Sequence, residues 1–305
     1  KGLIQGVNSE IALVKDDTDK KLDTIDSKLD SKANEQDGKI TQIQQELGIQ
    51  LTQLEEQTEA LATQSQTLQT QSEQLQDLEQ KEAQEKVNIE NAKKSVVILT
   101  YSVTEDDTIS TQTFSSICSG VIYKQEGNKV YVVTNQHCVG WEYLGWAFFD
   151  SSESGEPEII SETLEVSTIN GVKHTVDQIT KAKDNIDLAT ITFTKQDGES
   201  FSTTSYEPAL PIVGDEVIAI GSPSGLSYTT TKGIVSAFRQ AQYIENGQSV
   251  DLVQTDAAIN PGNSGGGLFR LSDGKLIGIN SFIYSNTEGL NFAISSKSFI
   301  STLGP

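Results

Sequence analysis

The chain has 305 residues, which is enough for one large domain or two of medium size. It is strongly acidic, with 43 Asp and Glu residues against 22 Lys and Arg. An acidic surface repels the phosphates of nucleic acids and of anionic lipids, so we expect neither a nucleic-acid partner nor docking on an anionic membrane face. No apolar run approaches the roughly 18 residues of a transmembrane helix. The first residue is Lys1 rather than Met, so we expect a processed or trimmed form; an export signal or membrane anchor upstream stays open.

Residues 1–93 have the composition and the period of a long helix. They are rich in Gln, Glu, Asp, Lys and Leu and contain no Pro, Cys or aromatic residue. One row of aliphatic residues, called here the heptad row, recurs every seven positions: Ile40, Leu47, Leu54, Leu61, Leu68 and Leu75. This spacing is typical of the d position of a coiled coil, whereas the a positions are mostly polar: Gln44, Thr58, Ser65 and Ser72, with Leu51 the exception. We therefore predict that residues 1–93 form a coiled-coil stalk or oligomerisation region.

A single helix cannot bury one narrow apolar seam, so partner helices are expected. Two alternatives stay open. Gln- and Glu-rich tracts are often unfolded, which makes a disordered polar linker the first alternative. The second is a helical hairpin within the chain that turns near Gly38, where the step from Leu29 to Ile40 departs from the seven-residue spacing.

From about Lys94 the pattern changes to short β-rich runs, and helical periodicity returns only in the last ten residues. Strands are predicted at 96–101, 119–123, 130–134, 188–193, 216–220, 233–238, 251–255, 276–283 and 291–294. Turn dipeptides separate several of them: Gly127-Asn128, Asn170-Gly171, Asn246-Gly247 and Asp273-Gly274. Many short strands at this spacing predict an all-β barrel or sandwich over residues 94–305, with room for two small barrels.

Three motifs lie at the ends of predicted strands and carry candidate catalytic groups. They read TNQHCV around His137, DNIDLA around Asp187 and NPGNSGG around Ser264. A serine hydroxyl is a weak nucleophile at neutral pH; it needs a base within hydrogen-bond distance, and the base needs a carboxylate that fixes its tautomer. We therefore predict His137, Asp187 and Ser264 as a catalytic triad. The other histidine, His174, lies in a polar stretch and is predicted to be exposed and incidental.

The glycines around Ser264 point to an oxyanion hole. Acyl transfer places negative charge on the former carbonyl oxygen, and backbone N–H groups converge on that oxygen only in a tight turn with positive φ. The predicted oxyanion hole is the turn of Gly262, Asn263 and Ser264, with the amides of Gly262 and Ser264 as the donors.

These motifs resemble the protease domain of the HtrA (Deg) family within the trypsin-like clan, which shares the chain order His, Asp, Ser. The resemblance covers residues 96 to about 299, and its most specific run is QTDAAINPGNSGG at 254–266. Further matching segments are SGVI at 119–122, VVTNQH at 132–137, DLA at 187–189, GSPSGL at 221–226, GIVS at 233–236, LIGIN at 276–280 and GLNFAI at 289–294.

The resemblance implies two six-stranded β-barrels with the triad in the cleft between them. It also implies a serine endopeptidase that cleaves unfolded or damaged polypeptides, in an exported compartment, as a trimer, without metal or cofactor. Family members usually carry PDZ domains after the protease, whereas this chain stops at Pro305, so substrate capture by a PDZ domain is not expected. Gly267 stands where many trypsin-like enzymes have Pro. The N-terminal helix is not a standard part, so it is expected to supplement or replace the trimer contacts of the protease domain.

The two cysteines fit the same resemblance. Many secreted trypsin-like enzymes carry a disulfide that brackets the histidine loop, and Cys118 and Cys138 occupy that place. The bond would close a loop of about 20 residues, contribute roughly 3 kcal/mol and indicate an oxidising, extracytoplasmic compartment. Two free buried thiols in a cytosolic protein are the alternative.

The substrate pocket is predicted from positions in the family pattern. The position six residues before the nucleophile helps to form the floor of the primary pocket in trypsin-like enzymes; here it is Ala258, followed by Ile259. Neither is charged, so we predict cleavage after small or medium aliphatic residues. The segment 280–283, with Asn280, Ser281 and Phe282, is expected to pair with the substrate backbone as an added strand.

Two other kinds of protein stay open. One is a coiled-coil scaffold or adhesin whose protease-like head only binds; against it, every catalytic position is filled. The other is a protein whose main task is done by the coiled coil, with the head serving self-cleavage or processing.

Overall fold

The computed structural model describes residues 1–106, 111–140, 158–183, 186–222, 228–242, 249–283 and 289–303. The chain divides into two compact units, residues 1–77 and residues 78–305. Among the described residues, no helix is both long enough and apolar enough to cross a membrane. The predicted turn Asn246-Gly247 and the side chain of Phe282 lie outside the described residues.

The N-terminal region is one helix, α1 (Gly2–Ser95). Its sequence lacks Pro and is rich in strong helix formers, and Lys–carboxylate pairs four residues apart support it, as between Lys39 and Glu35 at 2.7 Å. The helix is continuous through Gly38, so the alternatives of a hairpin and of an unfolded linker are wrong. The heptad row is exposed in the single chain, with Leu54 at 59% and Leu61 at 68%. The long helix is thus confirmed, and its pairing into a coiled coil stays a prediction.

The rest of the chain forms thirteen strands and a short C-terminal helix within the described residues. The strands are β1 (Val96–Asp106), β2 (Thr111–Glu126), β3 (Lys129–Thr134), β4 (Glu158–Ser167), β5 (Lys173–Thr175), β6 (Gln178–Lys181), β7 (Ala189–Thr194), β8 (Glu216–Gly221), β9 (Thr229–Gln242), β10 (Ser249–Thr255), β11 (Gly267–Arg270), β12 (Leu276–Ile283) and β13 (Asn291–Ser295). The helix α2 (Ser296–Leu303) follows β13, in the segment where helical periodicity returns.

The first seven strands form one antiparallel sheet in the order β5-β4-β1-β2-β3-β7-β6. Its inner face is apolar, because alternate residues of each strand point to one side. Leu99, Ile122, Val132 and Phe193 are all fully buried there. The family resemblance implies six strands here; the described chain has seven, with β5 and β6 at the two ends of the sheet.

The remaining six strands close into a barrel in the order β10-β13-β12-β11-β8-β9. Its interior is filled by small and medium side chains, as expected for a six-stranded barrel: Val217, Ala219, Val253, Leu268, Ile277 and Ala293. The predicted double β-barrel is therefore confirmed, with the first half a seven-stranded sheet and the second half a closed barrel.

A third apolar cluster joins the sheet to the barrel and also takes in the C-terminal end of α1. Val121 and Val133 of the sheet meet Ile218 and Phe269 of the barrel in this cluster. Nearby, Asn88 of α1 donates a hydrogen bond to the Leu271 carbonyl oxygen at 2.9 Å. The two β-domains are thus held together by a continuous apolar core.

The sequence-based expectation for His174 is wrong. His174 lies on β5 opposite Val166 of β4 and is only 5% exposed. Its ring stacks on Phe193 with centroids 4.6 Å apart, and its Nε2 lies 3.2 Å from Glu199 Oε1. The polar residues around it in sequence face solvent, while the strand turns the histidine itself into the core of the sheet.

Candidate active site

Two neighbouring strands bring His137 and Asp187 together. β3 and β7 pair antiparallel with Thr134 opposite Ala189, so the end of β3 and the start of β7 lie at the same edge of the sheet. His137 lies in a 3-10 turn (Gln136–Cys138) just after β3, and Asp187 lies just before β7. Two residues 50 positions apart in sequence are therefore adjacent in space.

The histidine and the aspartate form a bidentate contact. His137 Nδ1 lies 2.9 Å from Asp187 Oδ2 and 3.0 Å from Oδ1, and the His137 backbone N–H donates to Oδ1 at 3.0 Å. Asn135 Nδ2 donates to the Asp187 backbone carbonyl oxygen at 2.9 Å. The side chains of His137 and Asp187 are 31% and 23% exposed, so this pair faces solvent on one side. The carboxylate holds the imidazole through Nδ1, which makes Nε2 the ring nitrogen that can exchange a proton with a reacting group.

Ser281 connects this pair to Ser264. The Ser281 hydroxyl donates to Asp187 Oδ2 at 2.7 Å, and the Ser281 carbonyl oxygen accepts from Ser264 Oγ at 3.2 Å. Ser264 comes from the loop between β10 and β11 of the barrel, whereas Asp187 belongs to the sheet. Ser281 thus joins the two halves of the site. From the sequence, Ser281 is predicted only as part of the substrate strand. Its bond to Asp187 was missed because residues 94 positions apart share no local sequence pattern.

The turn before Ser264 leaves two amides available. Asn263 N–H donates to the Asn260 carbonyl oxygen at 2.9 Å, and Gly262 adopts φ 101°, which closes a tight turn over residues 260–263. Among the residues that the structure describes, the N–H groups of Gly262 and Ser264 donate no hydrogen bond. Asn263 lies between them with its side chain fully buried.

Gly265 fixes the other side of Ser264. A Cβ at this position would lie 2.1 Å from the Ser119 carbonyl oxygen, and its φ of 79° favours glycine. The Gly265 N–H donates to the Asn280 carbonyl oxygen at 2.8 Å, which docks the serine loop on β12.

Cys118 and Cys138 form the expected disulfide. The bond links β2 to the turn that carries His137, and Cys138 Sγ lies 3.7 Å from the Ser264 carbonyl oxygen. A disulfide sulfur carries no hydrogen, so this last approach is a van der Waals contact. His137 and the two sulfurs lie within 4.8 Å of one another, but sulfurs joined in a disulfide supply no thiolate for a metal ion.

The predicted pocket residues have different environments. Ile259 is buried at 4% exposure, while Ala258 is exposed and its carbonyl oxygen accepts from Thr231 Oγ1 at 2.8 Å. Asn280 is fully buried, and its backbone N–H and C=O bond to Gly266 and Gly265. The Phe282 backbone pairs with Phe292. Asn280 thus supports the serine loop, a contact that the sequence did not indicate.

Known proteins are similar to this chain in sequence and in fold. A family model described as "Trypsin-like peptidase domain" matches residues 118–279, more than half of the chain. "Serine protease Do-like HtrA" of Bacillus subtilis is 36% identical over 197 residues, which are 62% of this chain and 38% of that protein. The protein of the same name from Lactococcus lactis is 35% identical over 202 residues, 62% of this chain and 44% of its own length.

A solved structure titled "HtrA-type protease AlgWS227A with tripeptide" has a TM-score of 0.52 and 30% sequence identity, covering 70% of this chain and 60% of that one. The chain spans about two fifths of the length of the two relatives from Bacillus and Lactococcus. The matched segment contains His137, Asp187 and Ser264 together with both cysteines. The chain therefore belongs to the trypsin-like peptidase family and is of the HtrA type.

Proposed function

We propose that the domain of residues 94–305 is a serine endopeptidase that hydrolyses polypeptides with His137, Asp187 and Ser264. One observation carries the proposal: Ser281 bonds Ser264 Oγ through its carbonyl oxygen and Asp187 through its hydroxyl, which places the serine beside the His137–Asp187 pair. A nucleophile, a base and an orienting carboxylate are the three groups that acyl transfer from an amide requires.

In the proposed reaction Ser264 Oγ attacks the carbonyl carbon of the scissile peptide bond. The hydroxyl proton passes to His137 Nε2 while the carbonyl π electrons move to the oxygen. Collapse of this intermediate breaks the C–N bond, and His137 gives the proton to the leaving amine. Water then attacks the acyl-enzyme by the same route and restores the Ser264 hydroxyl. In the structure the Ser264 hydroxyl donates to the Ser281 carbonyl oxygen. The proposed reaction therefore requires the hydroxyl to turn towards His137 when a substrate binds.

The amides of Gly262 and Ser264 form the proposed oxyanion hole, with Asn263 holding the turn between them. Both N–H groups are available in the described structure, and Gly262 has the positive φ that such a turn requires. Two backbone donors aimed at the developing negative charge contribute several kcal/mol of transition-state stabilisation.

For the substrate we propose polypeptides cleaved after small or medium aliphatic residues. Ala258 and Ile259 before the serine loop are uncharged, and Asn280, Ser281 and Phe282 lie on the strand next to Ser264. The related HtrA-type structure carries a tripeptide, which supports a peptide-binding cleft. A cleavage profile on a peptide library that is dominated by Arg or Glu would contradict this preference.

We further propose an extracytoplasmic protein that assembles as a trimer through α1 and the protease domain. The Cys118–Cys138 disulfide supports an oxidising compartment. The unpaired heptad row supports assembly, and the trimer itself is proposed from the family resemblance.

Digestion of unfolded casein tests the proposed activity. The whole chain should degrade casein and bind a fluorophosphonate probe covalently, whereas Ser264→Ala should do neither. Ser296→Ala is the control, because it also removes a serine hydroxyl but lies on α2, outside the site. If the wild-type chain neither degrades casein nor is labelled at Ser264, the proposal is contradicted, and a protease-like domain that only binds is favoured.

A further inference from the structure

Ser119 forms hydrogen bonds to both residues whose amides build the proposed oxyanion hole, Gly262 and Ser264. It lies on β2, is fully buried, and is followed by Gly120 in the SGVI segment. Its N–H donates to the Ser264 carbonyl oxygen at 2.8 Å, and its Oγ donates to the Gly262 carbonyl oxygen at 2.8 Å. The same Oγ accepts from the Ser222 N–H at 3.0 Å, while Thr134 Oγ1 donates to the Ser119 carbonyl oxygen at 2.7 Å. Every polar atom of Ser119 is therefore bonded.

The hydroxyl fixes one peptide group of the turn. The peptide unit between Gly262 and Asn263 is held at its oxygen by Ser119 Oγ and at its nitrogen by the Asn260 carbonyl oxygen. With this plane held, only the φ and ψ of Gly262 itself still set where the Gly262 N–H points. Ser119 thus constrains the direction of one oxyanion donor without touching a substrate.

The surroundings leave little room for another arrangement. A Cβ on Gly221 would lie 2.7 Å from Asn263 Cα and 3.0 Å from Ser119 Oγ, so glycine is needed beside the hydroxyl. Without the hydroxyl, the one donor left to the Gly262 carbonyl oxygen within the described residues is the Ser222 N–H, at 3.3 Å. That longer bond is a weaker constraint on the turn.

We infer that Ser119 is a positioning residue for the oxyanion hole, acting through the Gly262 carbonyl group. The inference rests on the proposed function, since it assigns the residue that holds the Gly262 N–H in place for the transition state. Its neighbour Cys118 is joined to Cys138 next to His137, so residues 118 and 119 connect β2 to the base, the nucleophile and the oxyanion turn.

The test compares Ser119→Ala with the wild type on a chromogenic peptide and on paired inhibitors. Without the Ser119 hydroxyl the turn is less constrained, and the Gly262 N–H stabilises the transition state less well. We therefore expect kcat to fall by about tenfold or more with KM nearly unchanged. A peptide aldehyde, whose oxygen enters the hole once Ser264 has added to its carbonyl carbon, should bind about tenfold more weakly. The corresponding peptide alcohol, which forms no such bond, should bind as before.

Two further variants separate positioning from folding. Ser296→Ala loses a buried hydroxyl of the same kind outside the site and should keep wild-type kcat and aldehyde binding. Ser119→Thr keeps the hydroxyl and should restore kcat; if Ser119→Ala does not fold, this variant decides. A folded Ser119→Ala with wild-type kcat, or a folded Ser119→Thr with the tenfold loss, would overturn the inference alone. An inactive wild type would overturn the proposed function and the inference together.

Discussion

The two histidines of the chain have opposite environments, and each predicts a different response to mutation. His137 is partly open to solvent and contacts Asp187, whereas His174 is buried against Phe193 and Phe201. His137→Ala should lower kcat by about 10⁴-fold, because the proposed general base is lost, with little change in melting temperature. Casein hydrolysis and thermal unfolding of the same preparation measure both effects.

For His174→Ala the expected pattern is reversed. Removing a ring that packs on two phenylalanines and bonds to Glu199 leaves a cavity and should cost about 2 kcal/mol, or roughly 5 °C in melting temperature, with kcat at 25 °C unchanged. An inactive His174→Ala that melts like the wild type would show that the roles of the two histidines are exchanged.

The site could be anticipated from sequence only in part. The groups in motifs, His137, Asp187 and Ser264, were singled out because their residue types and order carry chemistry by themselves, and the structure does bring them together. Ser281 at Asp187 and Ser119 at Gly262 were not, since those contacts join residues 94 and 143 positions apart. A single serine in a strand gives no sign of which distant atom its hydroxyl will meet.

At the scale of elements, Arg270 ties β11 to two neighbouring segments. Its guanidinium bonds Glu207 at 2.9 Å and Asp273 at 2.6 Å while only 18% of the side chain is exposed. The hydrogen bond from Arg270, helped by Lys275, holds the pKa of Glu207 below its usual value. Arg270→Met should therefore lower the free energy of unfolding by about 2 kcal/mol at pH 7, as measured by denaturant titration.

The pH dependence of this effect has a defined sign. Because the folded pKa of Glu207 lies below the ordinary 4.5, the stabilisation is fully present above about pH 4.5 and is lost as the pH falls through the folded value. The difference in the free energy of unfolding between wild type and Arg270→Met should thus narrow as the pH falls below about 4.5. A difference that stays constant over the whole acid range in which both proteins are folded would mean that Arg270 stabilises the fold by packing alone.

Strands were found from sequence where their apolar runs are continuous, as in β3 and β8, and missed where they are not. In β4, Leu164 and Val166 face the core between polar residues, so the strand has no unbroken apolar run. All four residues of β6 are exposed, and the strand is defined by its backbone pairing with β7. β11 has only four residues and follows three small ones. Backbone pairing and short length leave no periodic signal for a sequence to carry.

At the scale of the whole molecule, substitutions in the heptad row of α1 distinguish assembly through the helix from assembly through the protease domain. Leu54, Leu61 and Ile49 are exposed to a similar degree in the single chain, at 59%, 68% and 60%, but only the two leucines belong to the row. Burial of a leucine in a helical interface contributes about 1.5–3 kcal/mol, so the double variant Leu54→Gln, Leu61→Gln should dissociate at concentrations where the wild type is a trimer. Ile49→Gln removes the apolar area of one such residue from the opposite face and should sediment as the wild type does.

Sedimentation velocity over a range of concentrations decides between three arrangements. Dissociation of the double variant alone would place the interface on the heptad row. Trimers in all three proteins would mean that the protease domain assembles independently of the heptad row. The helix would then act as a stalk, and its apolar seam would be covered by something other than a second copy of α1. A monomeric wild type at every concentration would contradict the proposed trimer. The six aliphatic residues of the heptad row would then remain exposed along α1 without partner helices from other copies of the chain.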